Sequence, residues 1–194
     1  MTADGSGVGS SGGIGGLTDA EVDELVAAAQ AGDSGARDRI VALVAPMVAR
    51  RCARFLPCRE DAEEATQDAL LAIAQKIGSF SGRGSFAGWV VVVASNCARS
   101  TYRDLKRRSV ELATDELPAR PDPRTTSVIA GSRIDLLEAI EHLEAHHPAL
   151  VDAFVLRDLA ALPYDDIAAQ LGIPLGTVKA RIHDARRVVR TRLT

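Results

Sequence analysis

Residues 162–190 read LPYDDIAAQLGIPLGTVKARIHDARRVVR, and this stretch decides the fold of the C-terminal part of the chain. Pro163 suits a helix start, and Asp165 and Asp166 fall in the first turn, where the positive end of the helix dipole favours acids. Ile167, Ala168 and Leu171 supply an inner face. Gly172 then stands where a left-handed residue ends a helix, and Pro174 blocks continuation. A second helix starts near residues 175–177. On it Val178, Ile182, Ala185 and Val189 recur at helical spacing and form one narrow apolar arc. Lys179, Ala180, His183, Asp184, Arg187 and Arg190 occupy the opposite arc. The order Ala168, Gly172, Val178 is what two helices crossing at a tight turn require: a small residue for close approach, a turn residue, and a wedge that locks the second helix on the first. From Pro174 onward six basic residues face one acid. This is the pattern of a helix-turn-helix whose second helix enters a DNA major groove.

Working outward, the 194 residues suit one large domain or two small ones. Aromatic residues make up 4% of the chain, so a core must come from Ala, Val, Leu and Ile, which favours small helical units over a large sheet. The net charge of −3 excludes a generally basic nucleic-acid coat. The charge is segregated instead. RSTYRDLKRR at 99–108 and the segment from 174 onward are basic, whereas 111–172 holds twelve acids against four bases. Such blocks imply two separate contacts with DNA and other surfaces that meet protein. Cys52, Cys58 and Cys97 form no CxxC pair and lie far in sequence from the four histidines. An odd count argues against a disulfide framework and is consistent with thiols in a reducing cytoplasm. No apolar run reaches membrane-spanning length, so no direct membrane insertion is expected. The N-terminus lacks the charged and apolar regions of a secretory signal.

Residues 1–17 are mostly Gly and Ser and read as a disordered tail. Thr18 with Glu21 forms a capping box that opens a first helix. Helices are expected at about 18–30, 34–56, 59–77 and 84–108, the second kinked or split at Pro46. Residues 109–132, with three prolines and no period, read as a flexible linker. A second helical unit spans 133–194, with Ile134, Leu137 and Ile140, or Leu136, Ile140 and Leu143, as the inner stripe of its first helix. Leu150, Phe154 and Val155 point inward from the next. The fold class is therefore all-α: two small helical domains, 18–108 and 133–194, whose relative orientation is expected to vary unless the linker or a partner fixes it.

Three features of the first unit carry functional information. In DAEEATQDALLAIAQKI at 61–77, Asp61, Glu64 and Asp68 make an acidic stripe beside an apolar stripe of Ala62, Ala65, Ala69, Ile73 and Ile77. Paired carboxylates invite an acid–base or metal reading. No histidine accompanies them, and Glu60 and Glu63 extend the acidity, so a partner-binding face is the better reading. Leu70 and Leu71 add an apolar element suited to a partner helix. Next, GSFSGRGSFAGW at 78–89 places Phe80, Phe86 and Trp89 around a short Gly/Ser loop with one arginine. Such a loop can pocket an unstacked base; the rings also serve as core, Phe86 and Trp89 chiefly so. Finally, Arg99, Arg103, Lys106, Arg107 and Arg108 end the following helix, more charge than dipole complementarity requires and suited to phosphate. No nucleophile–base pair, phosphate loop or metal spacing appears, so no enzyme, cofactor or metal is expected.

In this order the pieces resemble the extracytoplasmic-function (ECF) sigma factors of the sigma-70 family, small bacterial RNA polymerase specificity subunits. The resemblance covers about residues 20–194. DAEEATQDALLAIAQKI and FSGRGSFAGWV are similar to region two, and LPYDDIAAQLGIPLGTVKARIHDARR is similar to region four. Ala74 stands where the family often has Trp, and Asp184 where it often has a basic residue. The resemblance implies that Asp61, Glu64, Gln67, Asp68 and Leu71 meet the clamp coiled coil of core polymerase, with region four on the flap. It implies that Ser79, Ser81, Arg83, Ser85, Phe86 and Trp89 take a flipped base of the minus-ten element while Arg99, Arg103 and Arg107 hold phosphates. Thr177, Lys179, Ala180, Arg181, His183, Asp184, Arg186, Arg187 and Arg190 would serve the minus-thirty-five element. It further implies core polymerase, promoter DNA and an anti-sigma protein as partners, no small-molecule substrate, and a cytoplasmic location. A stand-alone helix-turn-helix regulator is the alternative, and it leaves the acidic helix and the GSFSGRGSF loop without a task.

Overall fold

The computed structural model describes residues 14–113 and 128–193, with side chains outside 109–133. All regular structure among them is helical: α1 (Asp19–Gln30), α2 (Ser34–Phe55), α3 (Arg59–Lys76), α4 (Phe86–Ala113), α5 (Val128–His146), α6 (Pro148–Phe154), α7 (Tyr164–Leu171) and α8 (Leu175–Leu193). A short 3-10 turn, Ile77–Ser79, follows α3, and α6 widens into a π turn at Val155–Leu159.

Local chemistry sets most boundaries. Thr18 Oγ1 accepts from Glu21 N–H, and Glu21 Oε2 accepts from Thr18 N–H at 2.7 Å, so the capping box is complete. These bonds hold the Glu21 carboxyl below its ordinary value. Asp33 caps α2 by accepting from Gly35 and Ala36 N–H at 2.8 and 3.1 Å. Pro46 does not split α2, which runs unbroken to Phe55. The proline is solvent-exposed, as is Ala42, four residues back, so the carbonyl it leaves without a donor can be met by water. The expected tail and linker fall largely on residues 1–13 and 114–127, outside the described residues. Helix nevertheless enters the expected linker from both sides, α4 reaching Ala113 and α5 beginning at Val128.

Helices α2, α3 and α4 pack on one another, with α1 against α2. Ile40, Val44, Val48 and Cys52 of α2 meet Ala62, Ala65, Ala69 and Ile73 of α3 and Val90, Ala94 and Ala98 of α4, all in one cluster. The alanines of α3 bring its backbone close to its neighbours. Truncating Ile40 or Ile73, both fully buried, is expected to cost about 2–5 kcal/mol. In the second unit α8 packs on α5, α6 and α7. Its stripe of Val178, Ile182, Ala185 and Val189 is buried as its spacing predicts. Leu137, Ile140 and Leu143 form the inner stripe of α5, while Ile134 and Leu136 are half-buried.

The two units are in contact. One apolar cluster holds Val90, Ala94 and Ala98 of α4 together with Leu137, Ile140, Leu143 and Phe154. A second joins Val91 of α4 to Leu156, Ile167, Val178 and Ile182. This contact fixes an orientation that the sequence predicts to vary, because helical period does not reveal that α4 buries a second apolar side.

Candidate nucleic-acid interface

The helix-turn-helix takes its geometry from Gly172, which has φ +64° and ψ +34° and donates its N–H to Ala169 O at 3.3 Å. A left-handed residue there turns the chain between α7 and α8. With Val178 and Ile182 anchored inward, Lys179, Ala180, His183, Arg187 and Arg190 lie exposed on α8. Thr177, Arg181 and Asp184 are half-buried at its edges. Asp184 Oδ1 lies 3.8 Å from Arg187 Nη2, close enough to orient that guanidinium. Arg186 is engaged elsewhere: its Nε donates to Asp158 Oδ2 at 2.9 Å, and its Nη2 contacts the other carboxylate oxygen. It borders the apolar arc, which carries it toward the π turn and not toward the open face.

That π turn is itself unusual. Ala160 N–H donates to Val155 O at 2.9 Å, five residues back. Ala161 then adopts φ +59°, a left-handed conformation that costs a non-glycine residue about 1–2 kcal/mol. Arg157 secures the exit, its guanidinium 4.6 Å from the Tyr164 ring centroid and its Nη1 donating to Leu162 O at 2.8 Å.

In the first unit, Glu64, Gln67, Asp68 and Leu71 are exposed along α3, with Asp61 half-buried at the same face. Leu71 is 58% exposed, the largest exposure of any big apolar side chain described. Loop 79–85 exposes Ser79, Ser81, Arg83 and Ser85. The Ser85 hydroxyl accepts from Gly88 N–H at 3.1 Å and so opens α4. Below the loop, Phe80, Phe86 and Trp89 form a mutual ring cluster with centroids 5.4–5.8 Å apart. Phe86 is buried and Trp89 half-buried. Phe86 thus lies beneath the loop as support.

The three arginines of α4 expected at phosphate, Arg99, Arg103 and Arg107, part company. Arg107 is exposed and pairs with Asp104 at 3.2 Å. Arg99 is buried: its Nε is 3.0 Å from Glu144 Oε1, its Nη2 is 3.5 Å from Asp152 Oδ1, and it also contacts Asn96. Arg103 Nη1 lies 3.5 Å from Glu144 Oε2. Sequence reasoning missed Glu138, Glu141, Glu144 and Asp152 as partners of this helix. The acidic block 111–172 was the signal, without an indication of what it faces.

Two family matches coincide with the two units: Sigma-70 region 2 over residues 40–108 and Sigma-70, region 4 over residues 133–188. The chain belongs to the ECF sigma factors of the sigma-70 family. Its relatives include the ECF RNA polymerase sigma factor SigE of Mycolicibacterium smegmatis, 31% identical over 79% of this chain and 60% of the relative. They also include the RNA polymerase sigma-H factor of Pseudomonas aeruginosa, 28% identical over 89% of this chain and 94% of the relative. The ECF RNA polymerase sigma-E factor of Escherichia coli K12 is 28% identical over 85% and 90%. Among solved structures, CnrH in complex with the cytosolic domain of CnrY aligns with TM-score 0.51 at 20% identity, covering 88% of this sigma factor and 95% of CnrH, a likeness of fold. Among the described residues of the sigma factor, no helix is long and apolar enough to cross a membrane.

Proposed function

We propose that this sigma factor docks core RNA polymerase through the exposed α3 face of Asp61, Glu64, Gln67, Asp68 and Leu71, and then directs it to promoters. Loop 79–85 takes an unstacked minus-ten base, Arg99, Arg103 and Arg107 hold adjacent phosphates, and α8 reads the minus-thirty-five element. The observation that carries the reading is the pairing, in one chain, of an exposed acidic–apolar face on α3 with a basic helix-turn-helix face on α8. The two faces have different chemistry and therefore different clients. Lys179, Arg187 and Arg190 supply charge to phosphate or guanine, and Ala180 and His183 add shape and hydrogen bonding in the groove. The acids of α3 would be repelled by DNA and suit a basic protein surface.

The factor supplies binding energy for promoter selection and strand opening, and the polymerase makes RNA. No cofactor enters this scheme. It acts in the cytoplasm, where promoter and polymerase are. An anti-sigma protein acting in trans controls it. In vitro transcription with core polymerase on a genomic template library tests the reading. The expected result is a discrete set of start sites that depends on both proteins. Tight, specific operator binding by the chain alone, with no core-dependent transcripts, would establish the stand-alone regulator instead.

A further inference from the structure

The α4 surface assigned to minus-ten phosphates is already occupied by carboxylates of the second unit. Besides the Arg99 and Arg103 pairs with Glu144 and Asp152, Lys106 Nζ sits 2.6 Å from Glu141 Oε2 and 3.9 Å from Glu138 Oε1. The hydrogen bond to Glu141 pushes the Lys106 ammonium above its ordinary value. Glu138, Glu141 and Glu144 recur every three residues along α5, and Arg99, Arg103 and Lys106 recur every three or four along α4. The two helices thus carry matched rows of opposite charge. A row of carboxylates at this spacing offers the cations what a nucleic-acid strand offers, anionic oxygens at intervals of several ångströms.

The same contact covers more than charge. The Arg99 side chain is 9% exposed, so DNA cannot reach it while the contact persists. Gly84, in the base-taking loop, lies against Gln170 of α7: a Cβ there would come within 3.1 Å of the Gln170 backbone nitrogen. Gly88 is buried, and a Cβ on it would meet Leu162 and Gln170 at 3.3 and 3.2 Å. Arg51 of α2 donates to the carbonyl of Leu159 in the π turn. The exposed α3 face takes no part in any of these contacts.

We propose that the acidic face of α5 and α6 is a phosphate mimic, seated in the free protein on the surface that the promoter must take, and that the two units part before minus-ten DNA binds. The inference rests on the proposed function for the identity of the displaced ligand. Because α3 stays open, core polymerase can engage the closed form, and DNA then exchanges one set of anions for another on the same cations. The exchange makes the three α5 acids determinants of how readily the factor is loaded.

Two experiments on the full chain test closure and competition separately. Carbodiimide treatment of the free protein should join Lys106 to Glu141, identified by peptide mass spectrometry. The joined monomer should bind core polymerase yet give no promoter complex. The triple substitution Glu138→Gln, Glu141→Gln, Glu144→Gln should extend the particle in small-angle X-ray scattering and raise transcript yield at limiting factor by roughly tenfold, from weakening four ion pairs, three of them partly exposed. Gly88→Met, which thrusts a side chain into the same contact while favouring helix, should extend the particle by a different route, with unchanged helical circular dichroism. Wild-type scattering from two separated bodies would overturn the proposal, as would Gln variants with both scattering and yield unchanged. If wild type gives no core-dependent transcripts, the functional reading fails, while cross-linking and scattering still decide closure.

Discussion

Leu71 is an exposed leucine that the fold does not need. Full burial of a leucine side chain is worth about 1.5–3 kcal/mol. With 58% of the residue open to solvent, the share still to be gained by docking is about 1–2 kcal/mol. Leu71→Ala should therefore weaken binding to core polymerase by roughly 5- to 30-fold. The substitution removes no packed core atom and replaces one good helix former with another, so stability should stay within about 0.5 kcal/mol. Fluorescence competition between labelled wild type and unlabelled variant for core polymerase measures the first number, and thermal unfolding by circular dichroism the second. Glu64→Lys, on the same exposed arc, should also weaken core binding and should respond to salt, whereas the Leu71→Ala deficit should not. Core affinity unchanged in Leu71→Ala, or a drop in stability that accounts for the whole loss, would refute the assignment of this face.

Asp184→Ala should change base preference at one or two minus-thirty-five positions by about 1–3 kcal/mol per base in a randomised promoter library, because Asp184 orients Arg187. Arg190→Ala should weaken all promoters alike and flatten the dependence on salt. Gly172→Ala leaves room for the methyl, 3.7 Å from Arg83 Nη1, but strains the left-handed backbone; it should lower stability by about 1–2 kcal/mol, with Gly172→Asn losing less. His142 accepts the Arg192 guanidinium only when neutral, and partial burial followed by neighbouring Arg192 holds its pKa below 6.5. The folded state thus binds fewer protons there, so this contribution is full above 6.5 and is lost as pH falls through the folded value. An NMR titration should give a His142 midpoint below 6.5, and a midpoint above it would contradict the contact.

Much of the fold was legible because its boundaries are written in local chemistry. Thr18, Asp33 and Gly172 act within three residues of themselves, so their spacing alone places three helix ends. The buried stripe of α8 follows from period alone. Pro46 misled because its effect depends on which side of α2 it faces, and it faces water. The π turn at Val155–Leu159 leaves no periodic trace: one residue too many in a turn shifts the phase without changing composition. The contact between α4 and α5 was illegible for another reason. Lys106 and Glu141 are separated by 35 residues, and charge pattern states the sign of each surface without naming its partner. Charge alone marks Arg99 for phosphate, and its burial against Glu144 and Asp152 is a property of three helices together.

The alanines at 62, 65 and 69 divide α3 into two sides under opposite rules. On the inner side Ala65 and Ala69 are fully buried, so an added methyl there must be matched by shifts in α2 and α4. The outer side, where Glu64 and Leu71 stand, is exposed and can be altered residue by residue at little cost to folding. The height at which that outer side stands above the bundle is nonetheless set by the inner one. A valine at position 65 would lift the whole docking surface off its seat without changing any residue on it. Affinity for polymerase can therefore be lost through a residue that polymerase never sees.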